Sequence, residues 1–264
     1  AESAPQDPEH GRRGIARRLI AECRAHAASM GVEILEIGVR GGTPAEEVYR
    51  RLLQQIVADG NAFLINTGDL VNYGSRQQFE AFQALMVDFP LPFYPVPGNH
   101  DLEDGWSTDN FVTYSGAPAA HYSFDVGSVH FTMANSAIGR LSEEQLAWIE
   151  ADLAATGQPV RMVSLHHPPF DPDGTTYILG GGNQAFMDLM AAYEVDCVFA
   201  GHIHAYAQEA RDGTVYVITG GGGAPLYVED HPEAFNHYVQ VTVLDNEIRT
   251  QVVRLEGEAV VTGG

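Results

Sequence analysis

The period of the apolar residues changes several times along the chain, and the changes mark out its elements. Short continuous apolar runs stand at residues 34–37, 63–66, 93–96, 162–165 and 198–200. Runs of this kind predict strands buried on both faces, as in a mainly parallel sheet covered by helices. Helix signals lie between them. Pro44 follows Thr43, with Glu46 three residues after that cap and Gly60 at the far end. Ser75 is followed by Gln78 and Ser142 by Gln145, each at capping-box spacing. The helix after Ser142 carries Leu146, Trp148, Ile149 and Leu153. Prolines around 93–96 suit an edge strand. Strict alternation at 121–127 and 128–133 predicts a hairpin through Gly127, and 215–219, 238–244 and 248–255 read as antiparallel strands. Residues 1–13 are a polar lead-in, 14–30 an Ala-rich helix, and 14–264 a single α/β domain with two sheets.

With 264 residues, 45% of them hydrophobic, the chain can bury a large core. Apolar runs stay short of the roughly 18 residues a membrane span needs, so none is expected. Asp and Glu number 35 against 14 basic residues, a formal charge of −21. A field of that sign repels polyphosphate backbones and argues against a nucleic-acid-binding surface. All the basic residues are arginine, which excludes a catalytic lysine. Cys23 and Cys197 cannot form a thiolate zinc cluster, and Cys197 sits in an apolar run that predicts a buried, inert thiol. The opening Ala1-Glu2-Ser3-Ala4-Pro5 reads as a mature end, secreted or periplasmic, with a cytoplasmic location as the alternative. Oligomeric state is not legible.

Four stretches share one design, an apolar strand followed at once by metal-capable side chains: Thr67-Gly68-Asp69, Pro97-Gly98-Asn99-His100-Asp101, Leu165-His166-His167-Pro168-Pro169 and Ala200-Gly201-His202-Ile203-His204. In α/β sheets, sites assemble beyond the carboxyl ends of the strands. A donor set of Asp, Asn and His without cysteine suits Mn, Fe or Zn. Two such ions about 3.5–4 Å apart polarise a phosphoryl group and generate hydroxide at neutral pH. They also let an acidic chain hold an anionic ester. His202 and His204 reach one crest only if the chain leaves strand geometry there.

The order GD, GNHD, HHPP, GHIH resembles the calcineurin-like metallophosphoesterases, the superfamily that includes the purple acid phosphatases. The likeness runs over residues 32–255 and takes in Tyr122-Ser123-Phe124-Asp125, Gln145-Leu146-Ala147-Trp148 and 220–227. It implies a four-layer α/β/β/α sandwich with two mixed sheets and a binuclear metal centre at the carboxyl ends of the strands. It implies hydrolysis of phosphate mono- or diesters by attack of a metal-bound hydroxide. Carried over, Asp69 bridges two metals, Asn99, His166 and His202 bind the second, and His204 binds the first. His100 contacts the phosphate or protonates the leaving oxygen, and Asp101 orients His100. His167 is expected to pack beside the ligands. The ligand tyrosine of purple acid phosphatases has Asn72 in its place, with Tyr73 one further on, so a tyrosine-bound purple iron site is not implied.

The family opens with a carboxylate at the end of the first strand. Here that stretch is Glu36-Ile37-Gly38-Val39-Arg40-Gly41-Gly42, with Val39 or Gly38 where the Asp stands. The first metal site is therefore expected to be weak, unless Glu36 fills it, and Arg40 is a candidate phosphate contact. Two other readings follow from the same stretch: a degenerate family member acting as a binding protein, and, remotely, a methyltransferase with a glycine loop at 35–42. The Gly220–Gly223 run is expected to be a structural turn near the site.

Overall fold

The structure is a computed structural model that describes residues 31–35, as backbone, together with 44–226 and 235–255. The lead-in, the helix at 14–30, and Glu36, Val39 and Arg40 lie outside the described residues. In chain order the elements are β1 (Gly31–Leu35), α1 (Pro44–Ala58), β2 (Phe63–Asn66), α2 (Arg76–Met86), β3 (Phe93–Pro95), α3 (Asp109–Tyr114), β4 (Tyr122–Val126) and β5 (Val129–Met133). There follow α4 (Glu143–Ala155), β6 (Val160–Ser164), α5 (Asn183–Ala192), β7 (Cys197–Ala200), β8 (Tyr206–Arg211), β9 (Thr214–Thr219), β10 (His237–Leu244) and β11 (Glu247–Arg254).

Two mixed sheets result. One has the order β11-β10-β1-β2-β3, with β1, β2 and β3 parallel and β10 and β11 antiparallel to their neighbours. The other has the order β4-β5-β6-β7-β9-β8, parallel from β5 through β9 with antiparallel strands at both edges. As expected, β3 is an edge strand.

Strand pleating distributes neighbouring residues among three cores. Phe63 and Ile65 of β2 point between the sheets, where they meet Phe131, Met162, Cys197 and Phe199 of the second sheet. Leu64, between them in sequence, points the other way, onto Tyr49, Leu52, Leu53 and Ile56 of α1 and onto Phe79 and Phe82 of α2. In β7, Cys197 and Phe199 face the inter-sheet core, while Val198 and Ala200 face Ile149 and Leu153 of α4 and Phe186 of α5. This explains the continuous apolar runs: each strand is covered on both faces, and the layers are α/β/β/α. The Tyr49, Leu52, Leu53, Ile56 spacing is one face of a helix.

The hairpin turns at Gly127, whose φ of 59° suits a residue without Cβ. Ser75 and Ser142 cap α2 and α4 by accepting from the backbone N–H of Gln78 and Gln145. The buried row of α4 is Gln145, Ile149, Leu153, and Leu146 and Trp148 beside it are only partly buried. Sequence pattern did not mark α3, α5 or β8. Neither Thr108 before α3 nor Gly182 before α5 makes a side-chain cap, and β8 is a half-exposed edge strand without an apolar run. Among the described residues no helix is long and apolar enough to cross a membrane.

Candidate metal centre

The motif loops leave the carboxyl ends of β2 and β3 in one sheet and of β6 and β7 in the other, so they converge where the two sheets lie side by side. Glycines let them touch. A Cβ on Gly98 would overlap the Asp69 carboxylate, and one on Gly68 would fall on His166 and 2.9 Å from the Gly98 Cα. The β2 loop is further set by Asn66, whose Oδ1 accepts from the Gly68 N–H at 2.8 Å.

His166 is the hub. It is fully buried, and its Nδ1 lies 2.8 Å from the Thr67 carbonyl oxygen, which can only accept. That bond puts a proton on Nδ1 and turns Nε2 toward the cluster, with a lone pair there whenever the ring is neutral. Around this Nε2 stand Asn99 Oδ1 at 3.0 Å, His202 Nδ1 at 3.2 Å and Asp69 Oδ2 at 3.3 Å. Electron-rich atoms facing one another at such distances are what a cation between them would require. His167 lies beside them, its ring 4.1 Å from that of His202 and 4.8 Å from that of His166. Its Nδ1 is buried without a hydrogen-bond partner. Ligand atoms of His166, His167 and His202 fall within 4.8 Å of one another. The residues present therefore fit a transition metal.

Electrostatics support the same chemistry. Burial, with the neighbouring His166, pushes the pKa of His202 down to about 3 and that of His167 down to about 2. Burial likewise lowers His204. Neutral imidazoles keep the lone pairs a metal needs. Burial works to raise the Asp69 carboxyl, but His166 and the His100 N–H hold it ionised, well below its ordinary range.

Two of the same residues carry unusual backbone conformations. Asp69 has φ 57° and His202 φ 67°, left-handed conformations unusual for these side chains. The chain does leave strand geometry after β7. The Ile203 N–H reaches the Gly201 carbonyl and the Ala205 N–H reaches the Ile203 carbonyl, both at 2.7 Å, giving tight three-residue turns centred on His202 and His204. A positive-φ turn of this sort costs roughly 1–3 kcal/mol.

His204 is fixed by its Nδ1 bond to the Pro225 carbonyl at 2.7 Å, and lies close enough to sense Asp69, His166 and His100. His100 is exposed at the rim. Its backbone N–H donates to Asp69 Oδ1 at 2.9 Å, and its Nδ1 donates to the Asn72 carbonyl, also at 2.9 Å. The expected orientation of His100 by Asp101 is not what the structure holds. Asp101 is fully buried, and its two oxygens accept from the N–H groups of Val71 at 3.1 Å and Gly98 at 2.8 Å. Asp101 ties the β2 loop to the β3 loop, because its side chain turns inward as that of His100 turns out. Burial, then the Asp69 charge, raises its pKa, against the pull of the two N–H groups.

Sequence reading passed over Ser136. It is fully buried on the loop after β5, and its Oγ accepts from the backbone N–H groups of both His166, at 3.0 Å, and His167, at 2.9 Å. A lone serine in a loop carries no signal of such a role. The glycine run after β9 is packed tightly: a Cβ on Gly221 would overlap His237, and one on Gly223 would lie 2.9 Å from the Ala45 carbonyl. Cys197 is buried, its thiol pushed up to about 12, first by burial and then by Asp196.

Comparison with known proteins agrees with this geometry. The calcineurin-like phosphoesterase profile matches residues 45–206, more than half of the chain. Purple acid phosphatase 15 of Arabidopsis thaliana is 30% identical over 157 residues, which are 50% of this chain and 30% of that protein. A 3′,5′-cyclic-nucleotide phosphodiesterase of Nostoc sp. is 26% identical over 58% of this chain and 60% of its own length. This chain thus spans between 30% and 60% of the length of these relatives. The purple acid phosphatase PPD1 from yellow lupin seeds superposes with a TM-score of 0.70 at 18% identity, over 88% of this chain and 52% of that one. The methyltransferase reading is displaced by the matched profile, and the glycine loop that suggested it lies largely outside the described residues. With the motif order, the α/β/β/α layers and the profile in agreement, the chain belongs to the calcineurin-like phosphoesterase family.

Proposed function

We propose that this chain is a metal-dependent hydrolase of phosphate mono- or diesters. The observation that carries the reading is the convergence of Asp69, Asn99 and His202 on the lone pair of His166 Nε2, at 3.0–3.3 Å. Asp69, Asn99, His166 and His202 would hold one Mn, Fe or Zn ion, and Asp69 with His204 a second, weaker one. Such an ion, when bound, supplies Lewis acidity toward the phosphoryl oxygens and lowers the pKa of water. The chain's own residues do the rest. Asp69, buried, keeps its charge and fixes His100 through the backbone N–H. His100, with Nδ1 committed to the Asn72 carbonyl, has Nε2 left to hold a proton and pass it to the departing oxygen. Thr67, through its carbonyl, and Ser136 hold His166 in place.

The test is metal analysis of the purified protein, Mn²⁺ titration, and assay on an aryl phosphomonoester and an aryl phosphodiester. One firm metal, a second that loads only with excess Mn²⁺, and hydrolysis of either ester are the expected results. Firm metal binding without hydrolysis of either ester would favour the binding-protein reading, and no metal binding at all would overturn the hydrolase reading.

A further inference from the structure

The exposed aromatic side chains are not scattered. Among the described residues they are Tyr73, Trp106 and Tyr177, and each stands on a loop that follows a motif strand: β2, β3 and β6. Tyr73 follows directly on Asn72, whose carbonyl holds the His100 ring. Trp106 lies in the loop that runs on from His100 and Asp101. These two loops are tied together, because the Tyr73 hydroxyl donates to Asp104 Oδ1 at 2.6 Å. The Trp106 loop is also closed on itself, with Trp106 N–H to the Glu103 carbonyl and Glu103 N–H to the Ser107 carbonyl, each at 3.0 Å. The tip is thus tied by hydrogen bonds, yet it displays an indole that is 70% exposed at φ 68°. A bulky side chain pays for that conformation, and large apolar groups held in water mark binding surfaces. The Tyr177 ring lies 6.3 Å from that of His202.

The geometry points to a subsite for the leaving group, walled by Tyr73 and Trp106 beside His100, that selects phosphate esters whose leaving group carries an aromatic ring. The inference rests on the phosphoesterase reading for where substrate sits. A proton passed from His100 must reach the departing oxygen, so the group on that oxygen lies on the His100 side, where these rings stand. Their faces accept another ring by stacking. An alkyl leaving group meets the same wall with far less contact area.

The experiment compares binding of phenylphosphonate and methylphosphonate to the Mn²⁺-loaded protein. Neither has a scissile ester oxygen, so differences in leaving-group reactivity do not enter. The chain has two tryptophans, Trp106 and Trp148, and Trp148→Phe leaves Trp106 as the reporter. In that variant phenylphosphonate should quench the indole emission and bind at least tenfold more tightly than methylphosphonate. Trp106→Ala, in the wild-type background and read by calorimetry, should erase most of the preference while methylphosphonate binding stays unchanged. Equal affinity for the two phosphonates, no binding of either, or a preference that survives Trp106→Ala would overturn the subsite. Phosphonates that bind with the expected preference to a protein that hydrolyses no ester would sink the catalytic reading and leave the subsite standing.

Discussion

Two of the regions that bury histidine among the described residues treat it in opposite ways. At the crest, His166, His167 and His202 crowd together with a single carboxylate, Asp69, near them, and burial keeps His167 and His202 neutral. On β5, His130 lies between two carboxylates, with Asp125 Oδ1 2.7 Å from Nδ1 and Asp152 Oδ2 3.0 Å from Nε2. Both ring nitrogens face acceptors there, an arrangement that favours the doubly protonated ring. Burial works to lower the His130 pKa, but the hydrogen bonds and charges of Asp152 and Asp125 outweigh it and raise the value. The lesson is that burial alone does not set a histidine's state; the number of facing carboxylates does. The first region keeps lone pairs for a ligand, and the second uses its protons to join β4, β5 and α4.

The contrast predicts opposite outcomes for mutation. His202→Gly removes one imidazole and relieves the φ 67° strain. It should lower metal affinity more than ~10²-fold, beyond what losing an outer hydrogen bond costs. The same change should leave the apoprotein unharmed or about 1 kcal/mol more stable. Calorimetric Mn²⁺ titration beside urea unfolding checks both arms. Wild-type metal affinity in the variant would remove His202 from the ligand set.

His100→Ala is the next largest effect. Its Nδ1 contact is a carbonyl and its ring stands exposed at the rim, so metal content should hold while activity falls by roughly 10²–10⁴-fold. The fall should be smaller for esters with good leaving groups, which need less protonation. Loss of metal instead would make His100 a ligand.

In the second region the cost falls on stability. His130→Ala leaves Asp125 and Asp152 facing each other without a donor between them. Removing one partner of a buried pair costs about 3–5 kcal/mol, and the partly exposed Asp125 reduces this to about 2–3 kcal/mol. Metal uptake should be untouched, since the backbone pairing of β5 with β6 and the Ser136 contacts to His166 and His167 do not involve the His130 side chain. Urea midpoints and Mn²⁺ titration of the same preparation check the separation.

Much of the crest was legible because its residues come as short motifs directly after apolar strands, and because glycines mark the places where the β2 and β3 loops must touch. Asp69, Asn99, His166 and His202 were named from sequence, and the structure brings them together. The role of Asp101 was misjudged because adjacency in sequence does not give side-chain direction: in the 3₁₀ turn Asn99–Asp101 it turns inward, away from His100. Ser136 was invisible because its contacts are to backbone N–H groups 30 and 31 residues away. The His130 cluster was passed over for a similar reason. Asp125 lies opposite His130 across the β4–β5 ladder, which a hairpin reading implies, but Asp152 arrives from α4 and completes the arrangement only in three dimensions. The helices α3 and α5 lack the side-chain caps that announced α2 and α4.

The smallest effect is also the sharpest test of the contrast, because it asks whether His130 is charged. Three other groups face the cluster. Ser123 and Thr132 donate to Asp152, at 2.5 Å and 2.7 Å, Gln158 donates to Asp125 at 3.0 Å, and none of these titrates near neutrality. Asp152 itself is held below its ordinary pKa, burial opposing and the bonds from His130, Ser123 and Thr132 prevailing. Its contribution is therefore present above the ordinary carboxylate range and lost only in acid. His130 has a raised folded pKa, so its contribution is complete below its unfolded value of about 6.5 and is lost as pH rises through the folded value. The stability gap between wild type and His130→Ala should then be widest near about pH 6 and shrink toward about pH 9. Urea unfolding of the two proteins across that window measures it. A gap that stays constant would mean that His130 donates from one nitrogen only, as a neutral ring, and the two histidine regions would differ in packing alone.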